Sequence, residues 1–220
     1  MTKQIFVGLI TEGPTDIRFL DGVINRSLRE ISFDCYQDVE IFDVLKVNGE
    51  GDSFVEKMED ALKNSSDKGI SILFIHCDSD AKELTTVVKN KIQPLRKRME
   101  ALSPEQYCKI IVPTIPIRMI ESWMLADKPL LKRFIQANTI PDYKLGLEKQ
   151  PEKYSDPKDQ ILKAIRIAHK DKKSGKQPSI SELYEVLGNK IPLERLRSIP
   201  SYVAFEENIR TALREMHLMA

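Results

Sequence analysis

The chain has 220 residues, of which 41% are hydrophobic and 30% charged, and a formal net charge of +1. That balance suits a soluble globular protein with one good core and an appendage. It excludes a membrane-spanning protein, because no apolar run nears the roughly 20 residues a membrane helix requires.

The N-terminal "MTKQIFVGLITEG" lacks the cleavage pattern of a signal peptide. Three widely spaced cysteines, Cys35, Cys77 and Cys108, form no C-x-x-C pair. They read as reduced thiols of a cytoplasmic protein and not as zinc ligands.

"QIFVGLI" (4–10) is a short apolar run that predicts a strand, and "TEGPTD" is a turn. A helix follows, with Ile17, Leu20, Val23, Ile24 and Leu28 on its apolar stripe; Thr15 is the candidate N-cap and Asp16 sits in the first turn. "VEIFDVL" (39–45) alternates as a strand does, and "SFVEKMEDALKN" (53–64) has helical spacing. "GISILFIH" (69–76) is almost wholly apolar, which predicts a central strand buried on both faces. A polar helix (81–101) and a fourth strand, "KIIVPTIPI" (109–117), complete the series. Strands alternating with helices predict an α/β fold, with a four-stranded, mostly parallel sheet flanked by helices over residues 1–127.

From residue 128 the texture changes. "LLKRFI", "KDQILKAIRIAH", "SISELYEVLG" and "FEENIRTALREM" are helical patterns separated by Pro- and Gly-bearing joints, so 128–220 reads as a helical extension packed on the sheet domain. Charge divides in the same place. Residues 1–127 hold 16 Lys and Arg against 21 Asp and Glu, a net of −5, whereas 128–220 hold 18 against 12, a net of +6.

In a parallel sheet the ligand site lies beyond the carboxyl ends of the strands. Glu12 follows the first strand, Asp78 and Asp80 the third, and Glu121 the fourth, so topology predicts that four acids from three distant segments converge. Such a cluster is repulsive unless a cation joins it, and Mg²⁺ or Mn²⁺ with oxygen ligands suits it. The bland alternative is that Asp-Ser-Asp is helix-capping or solvated loop chemistry. Lys158 is a candidate for stabilising phosphate charge, against a plain solvent-facing lysine. Arg118 reads as a partner of the acids or of phosphate, and Asp127 as a cap or outer group. Gly13 answers a positive φ or a close approach, Trp123 reads as core, and His76 as a satisfied structural histidine. The basic "KDKKSGK" (170–176), with Lys170, Lys172, Lys173 and Lys176, is a solvated loop taken alone and a phosphate-binding loop beside a metal site.

"VGLITEGPTDIRFL", "LFIHCDSD" and "IESWMLAD", in this order, resemble the Toprim fold of topoisomerases, primases and overcoming-lysogenization-defect (OLD) family nucleases. The pattern P-x-R-x-x-E-S-W-x-L-A-D (116–127), "DPKDQIL" (156–162) and "IPLERLRSIPSYVAFEENI" (191–209) are similar to small stand-alone Toprim-like proteins of bacterial phage-defence and mobile loci, which are encoded beside ATPases. The resemblance implies a Toprim Glu at Glu12 and a D-x-D at Asp78 and Asp80. The sequence lacks the additional domains of a topoisomerase or primase and carries no ATPase domain.

The expected activity is therefore Mg²⁺- or Mn²⁺-dependent cleavage of DNA or RNA phosphodiesters, with Glu12 as general acid/base or second-ion ligand. Asp78, Asp80 and Glu121 are the further metal candidates. The expected partners are nucleic acid, a separately encoded ATPase and a possible second copy of the chain. The alternative is a non-catalytic subunit that docks on the ATPase.

Overall fold

The computed structural model describes residues 2–79, 83–103, 105–170 and 177–220. The first half runs β1 (Lys3–Ile5), β2 (Val7–Ile10), α1 (Asp16–Ser32), β3 (Val39–Ile41), β4 (Leu45–Lys46) and α2 (Phe54–Asp67). It continues through β5 (Ile72–His76), α3 (Leu84–Val87), a π-helical turn (Val88–Ile92), α4 (Gln93–Glu100) and β6 (Ile111–Thr114). Helices follow: α5 (Glu121–Met124), α6 (Lys128–Phe134), α7 (Asp142–Leu145), a 3-10 turn (Pro151–Lys153), α8 (Pro157–Ala168), α9 (Ile180–Lys190), α10 (Leu193–Leu196) and α11 (Pro200–Glu215). The fold is α/β, with a four-stranded parallel sheet in the order β4-β2-β5-β6 and helices on both faces.

The first strand is broken where a continuous one is expected. Lys3–Ile5 pairs with Val39–Ile41, and the register then slips, because Ile5 faces Ile41 while Gly8 faces Leu45. One extra residue lies on the second strand between those pairs, which is the definition of a bulge. Phe6 and Phe42 stack at the break, with ring centroids 4.5 Å apart. On the opposite side the Phe6 carbonyl accepts from Ser71 N–H (2.8 Å), so the chain changes partners there without leaving the carbonyl unpaired.

Strand β5 is buried at every position. Ile72 and Phe74 face the core shared with α1, α9 and α11, while Leu73 and Ile75 face a second core against α2 and α4. This two-sided burial explains the unbroken apolar run. Strand β6 is shorter than its sequence segment and contains Pro113, which is tolerated because the strand is at the sheet edge. Helix α11 covers that edge, and Asn208 Nδ2 donates to the Pro113 carbonyl at 2.8 Å.

The polar helix is interrupted by its π turn. Pro94 has no N–H to offer the Asn90 carbonyl and would crowd it, and the preceding turn widens so that Gln93 N–H reaches Val88 O. Helices α2 and α9 begin with full capping boxes, Ser53 with Glu56 and Ser179 with Glu182. Thr15, in contrast, makes no side-chain cap at α1.

The helical segments of 128–220 share one apolar core with the sheet. Helices α1 and α9 meet at glycines. A Cβ on Gly188 would stand 2.3 Å from the Phe19 carbonyl oxygen, so only glycine permits this backbone approach. Trp123 is fully buried; its indole N–H donates to Ser201 Oγ at 2.7 Å and its ring meets Tyr202 edge-on at 5.3 Å. It is thus core, as the sequence predicts.

Trp123 is the single tryptophan. Native emission is expected to be blue-shifted and poorly quenched by acrylamide, moving to the red on unfolding. Trp123→Ala should lower unfolding stability in urea by about 3–5 kcal/mol through cavity formation. Native emission that is red-shifted and freely quenched would contradict this packing.

Candidate functional site

The order β4-β2-β5-β6 reverses direction between β2 and β5, since chain connections leave these neighbours toward opposite edges. A crevice opens beyond the carboxyl ends at such a switch point. Glu12 leaves β2 there, and Asp78 leaves β5. Glu12 Oε2 accepts from Asp78 N–H at 3.4 Å, so residues 66 positions apart are in contact.

Three further side chains complete this corner. Lys91 Nζ lies 2.7 Å from Glu12 Oε1 and 5.3 Å from the centroid of the Phe54 ring. The π turn carries this lysine. His76 ends β5 and is fully buried, with Nδ1 3.7 Å from Asp16 Oδ2 and Nε2 3.4 Å from Asp78 Oδ1. Neither ring nitrogen has a hydrogen-bond partner, and buried Asp78 Oδ1 has none either. A buried polar atom left in that state costs about 1–3 kcal/mol. His76 is therefore not the satisfied structural histidine expected from sequence; His169 is, with Nε2 3.0 Å from the Ile135 carbonyl.

Asp16 is fixed by Gly13, whose N–H donates to its Oδ2 at 3.1 Å. Gly13 has no positive φ; a Cβ there would lie 2.8 Å from that oxygen, so a larger residue would displace the Asp16 carboxylate and not the backbone. Burial pushes the Asp16 carboxyl above the ordinary range, with Asp78 adding to the rise and His76 opposing it.

Glu121 stands in a neighbouring subsite. Its side chain is only 4% exposed, and its Oε1 accepts from the Tyr184 hydroxyl and lies 3.7 Å from Lys158 Nζ. Burial raises its pKa against the opposing effects of Tyr184 and Lys158. Burial also raises the Tyr184 hydroxyl, which keeps it a neutral donor. Lys158 is half-exposed at the start of α8, so it can meet an incoming anion while resting against Glu121. Among the described residues no group of three or more His, Cys, Asp or Glu side chains could share one ion. The structure thus does not gather Glu12, Asp78 and Glu121 into one ligand shell; the described pair is Glu12 with Asp78.

Arg118 adopts φ +69°, which costs a residue with a Cβ about 1–2 kcal/mol. Its N–H donates to Ser79 Oγ at 2.7 Å, and its Nε is buried without a hydrogen-bond partner. Asp127 caps α6, with Oδ1 accepting from Leu130 N–H at 2.9 Å. Lys170 follows the far end of α8, more than about 15 Å along the helix from Lys158 at 1.5 Å per residue, and is not part of the site. Asp80, Lys172, Lys173 and Lys176 lie outside the described residues.

Comparison of the chain with protein-family models, curated proteins and solved structures returns no match.

Asp16, Lys91 and Tyr184 join the site without having been singled out for it by sequence. Asp16 lies inside the "EGPTD" turn and had a local signal; Tyr184 reads as an ordinary apolar-face residue, and Lys91 as one more lysine of a polar helix.

Since burial raises the Glu121 pKa, the folded protein binds its proton more tightly than the unfolded chain does. Glu121 therefore favours folding below the ordinary carboxyl pKa, and that contribution is lost as pH rises through the elevated folded value. In EDTA, Glu121→Gln is expected to raise Tm at neutral pH, with the gap closing as pH falls below the ordinary carboxyl range. A gap that grows on acidification would mean that Glu121 is stabilised as the carboxylate.

Proposed function

We propose that this protein is a Mg²⁺- or Mn²⁺-dependent nuclease that cleaves DNA or RNA phosphodiesters, of the Toprim type its motifs resemble. The observation that carries this reading is the meeting of Glu12 and Asp78 at the switch point, with Lys91 against Glu12 and Lys158 in the adjoining subsite. A hard divalent ion fits the donor set, because Glu12 and Asp78 present oxygen and Asp78 Oδ1 is buried without a hydrogen-bond partner. Asp80 would extend that set. Bound there, the ion would supply Lewis-acid neutralisation of charge on the phosphodiester.

The chain's own residues would do the rest. As the water oxygen bonds to phosphorus and the P–O bond to the leaving group breaks, Glu12 would accept the water's proton at Oε2 and the leaving oxygen would take a proton from solvent. Lys91 is a partly exposed partner of Glu12, and such ion pairs contribute only about 0–1 kcal/mol, so it could turn to a phosphate oxygen at small loss. Tyr184 would hold Glu121, and Glu121 would hold Lys158 toward the phosphate. Asp16 and Asp78 flank His76, which would fix the position of the Asp78 carboxylate through its Oδ1. The motif resemblance supports work beside a separately encoded ATPase in phage defence.

A second reading, a regulatory subunit that docks on that ATPase, is favoured by one observation. Lysines already neutralise Glu12 and Glu121, and no three-acid group exists among the described residues.

Incubation with plasmid, single-stranded DNA and tRNA separates the two: cleavage with Mn²⁺ that stops in EDTA is expected. Glu12→Gln should reduce the rate at least about 10²-fold. Wild-type cleavage by that variant at saturating metal would favour the docking subunit. Mn²⁺ should also raise the wild-type Tm, since it binds only the folded state, and Asp78→Asn with Asp80→Asn should remove that rise. An undiminished rise in the double variant would put the metal elsewhere.

A further inference from the structure

Beside the acids lies a cavity of about 580 Å³, enclosed by the loop after β6, the Gln150–Lys153 segment and the start of α11. Its volume is in the range of small-ligand sites. The lining combines two cations, Arg118 and Lys153, with the apolar surfaces of Ile117, Pro151 and Ile199. Glu152 also borders it, but its Oε1 accepts from Ser201 N–H at 3.2 Å and so is engaged by the first turn of α11.

Arg118 is the informative residue. Its backbone is held in a left-handed conformation that favours glycine, and its buried Nε has no partner. Strain of this kind persists where the surroundings impose it, and it concentrates at binding sites. Arg118 is partly exposed and lines the cavity, and a guanidinium suits a phosphate, which it can meet with two parallel hydrogen bonds. Through its N–H, Arg118 is also tied to Ser79, the residue after Asp78. Arg118 therefore joins the cavity wall to the segment that carries Asp78.

We infer that this cavity receives one nucleotide of a single-stranded nucleic acid, with its phosphate on Arg118 and its base against the partly exposed Ile117 and Pro151. Bases in a duplex are stacked and would have to be extruded to enter such a recess, whereas a single strand offers them freely. Gln150 and Ser198 add polar groups to the lining, and the preference inferred is for strandedness. That the strand is then cut rests on the phosphodiester reading of the neighbouring acids.

The test is fluorescence anisotropy of a short labelled oligothymidylate with the full chain in EDTA, where nothing is cleaved. The single strand should bind at least about tenfold tighter than a duplex of equal length. Arg118→Gly should weaken binding at least about tenfold and flatten its salt dependence. Its Tm should stay equal or rise, because glycine takes this φ without strain. Ser198→Trp, at an exposed position on the rim, should block binding by filling the cavity. Lys170→Ala should leave binding unchanged. Equal affinity for duplex, or wild-type binding by both Arg118→Gly and Ser198→Trp, would overturn the inference. Strand-selective, Arg118-dependent binding without cleavage in Mn²⁺ would instead overturn the nuclease reading and leave the pocket standing.

Discussion

Parallel pairing of β2 with β5 is the constraint on which the site depends. Both strands are fully buried, and their register sets Ile10 beside Ile75, so the residues that leave them emerge side by side. The sheet can turn in opposite directions from this pair only by opening a gap at its carboxyl end. Glu12 and Asp78 occupy that gap. The two residues are kept together because the two buried faces of β5 fix the strand and the Asp78 N–H reaches Glu12 Oε2, and not because the acids attract one another. Like charges at such a position are a standing expense, which the core covers and which function must explain.

The neighbouring cations answer that repulsion in two ways. Lys91 comes from the sheet domain, through a π turn that Pro94 imposes on an otherwise regular helix. Lys158 comes from the helical part, on the first turn of α8. Neither pair is buried on both sides, so each lysine can leave its acid for an anion at little cost. Glu121 is different. Its burial and its bond to Tyr184 make it a rigid mount for Lys158, and its raised pKa reflects the desolvation that this rigidity entails.

The helical part also shapes the approach to the acids. The start of α11 and the 3-10 turn close a recess against the loop after β6, and Arg118 stands between recess and acids. Because α11 also packs on β6 and α9 on α1, the recess is held by the same core that supports the sheet. A proposed substrate pocket and the proposed chemistry thus share one scaffold.

Several features could be read directly from the sequence because they arise from local periodicity. The apolar 72–75 run determined a doubly buried strand, alternation of strands with helices determined a parallel sheet, and strand ends placed Glu12 and Asp78 together. The two S-x-x-E capping boxes are equally local. The rest required tertiary structure. The slipped register at Phe6 coincides with a cross-strand stack with Phe42, and His76 stands between Asp78 of its own strand end and Asp16 of α1. Lys91 reaches Glu12 only through a widened helical turn, and Tyr184 reaches Glu121 across 63 positions. Glu121 illustrates the boundary between the two: its position after the fourth strand was readable, but its orientation toward Tyr184 and Lys158 was not. Side-chain direction at a helix start is chosen by whichever buried partner offers a hydrogen bond, and that partner came from a distant helix.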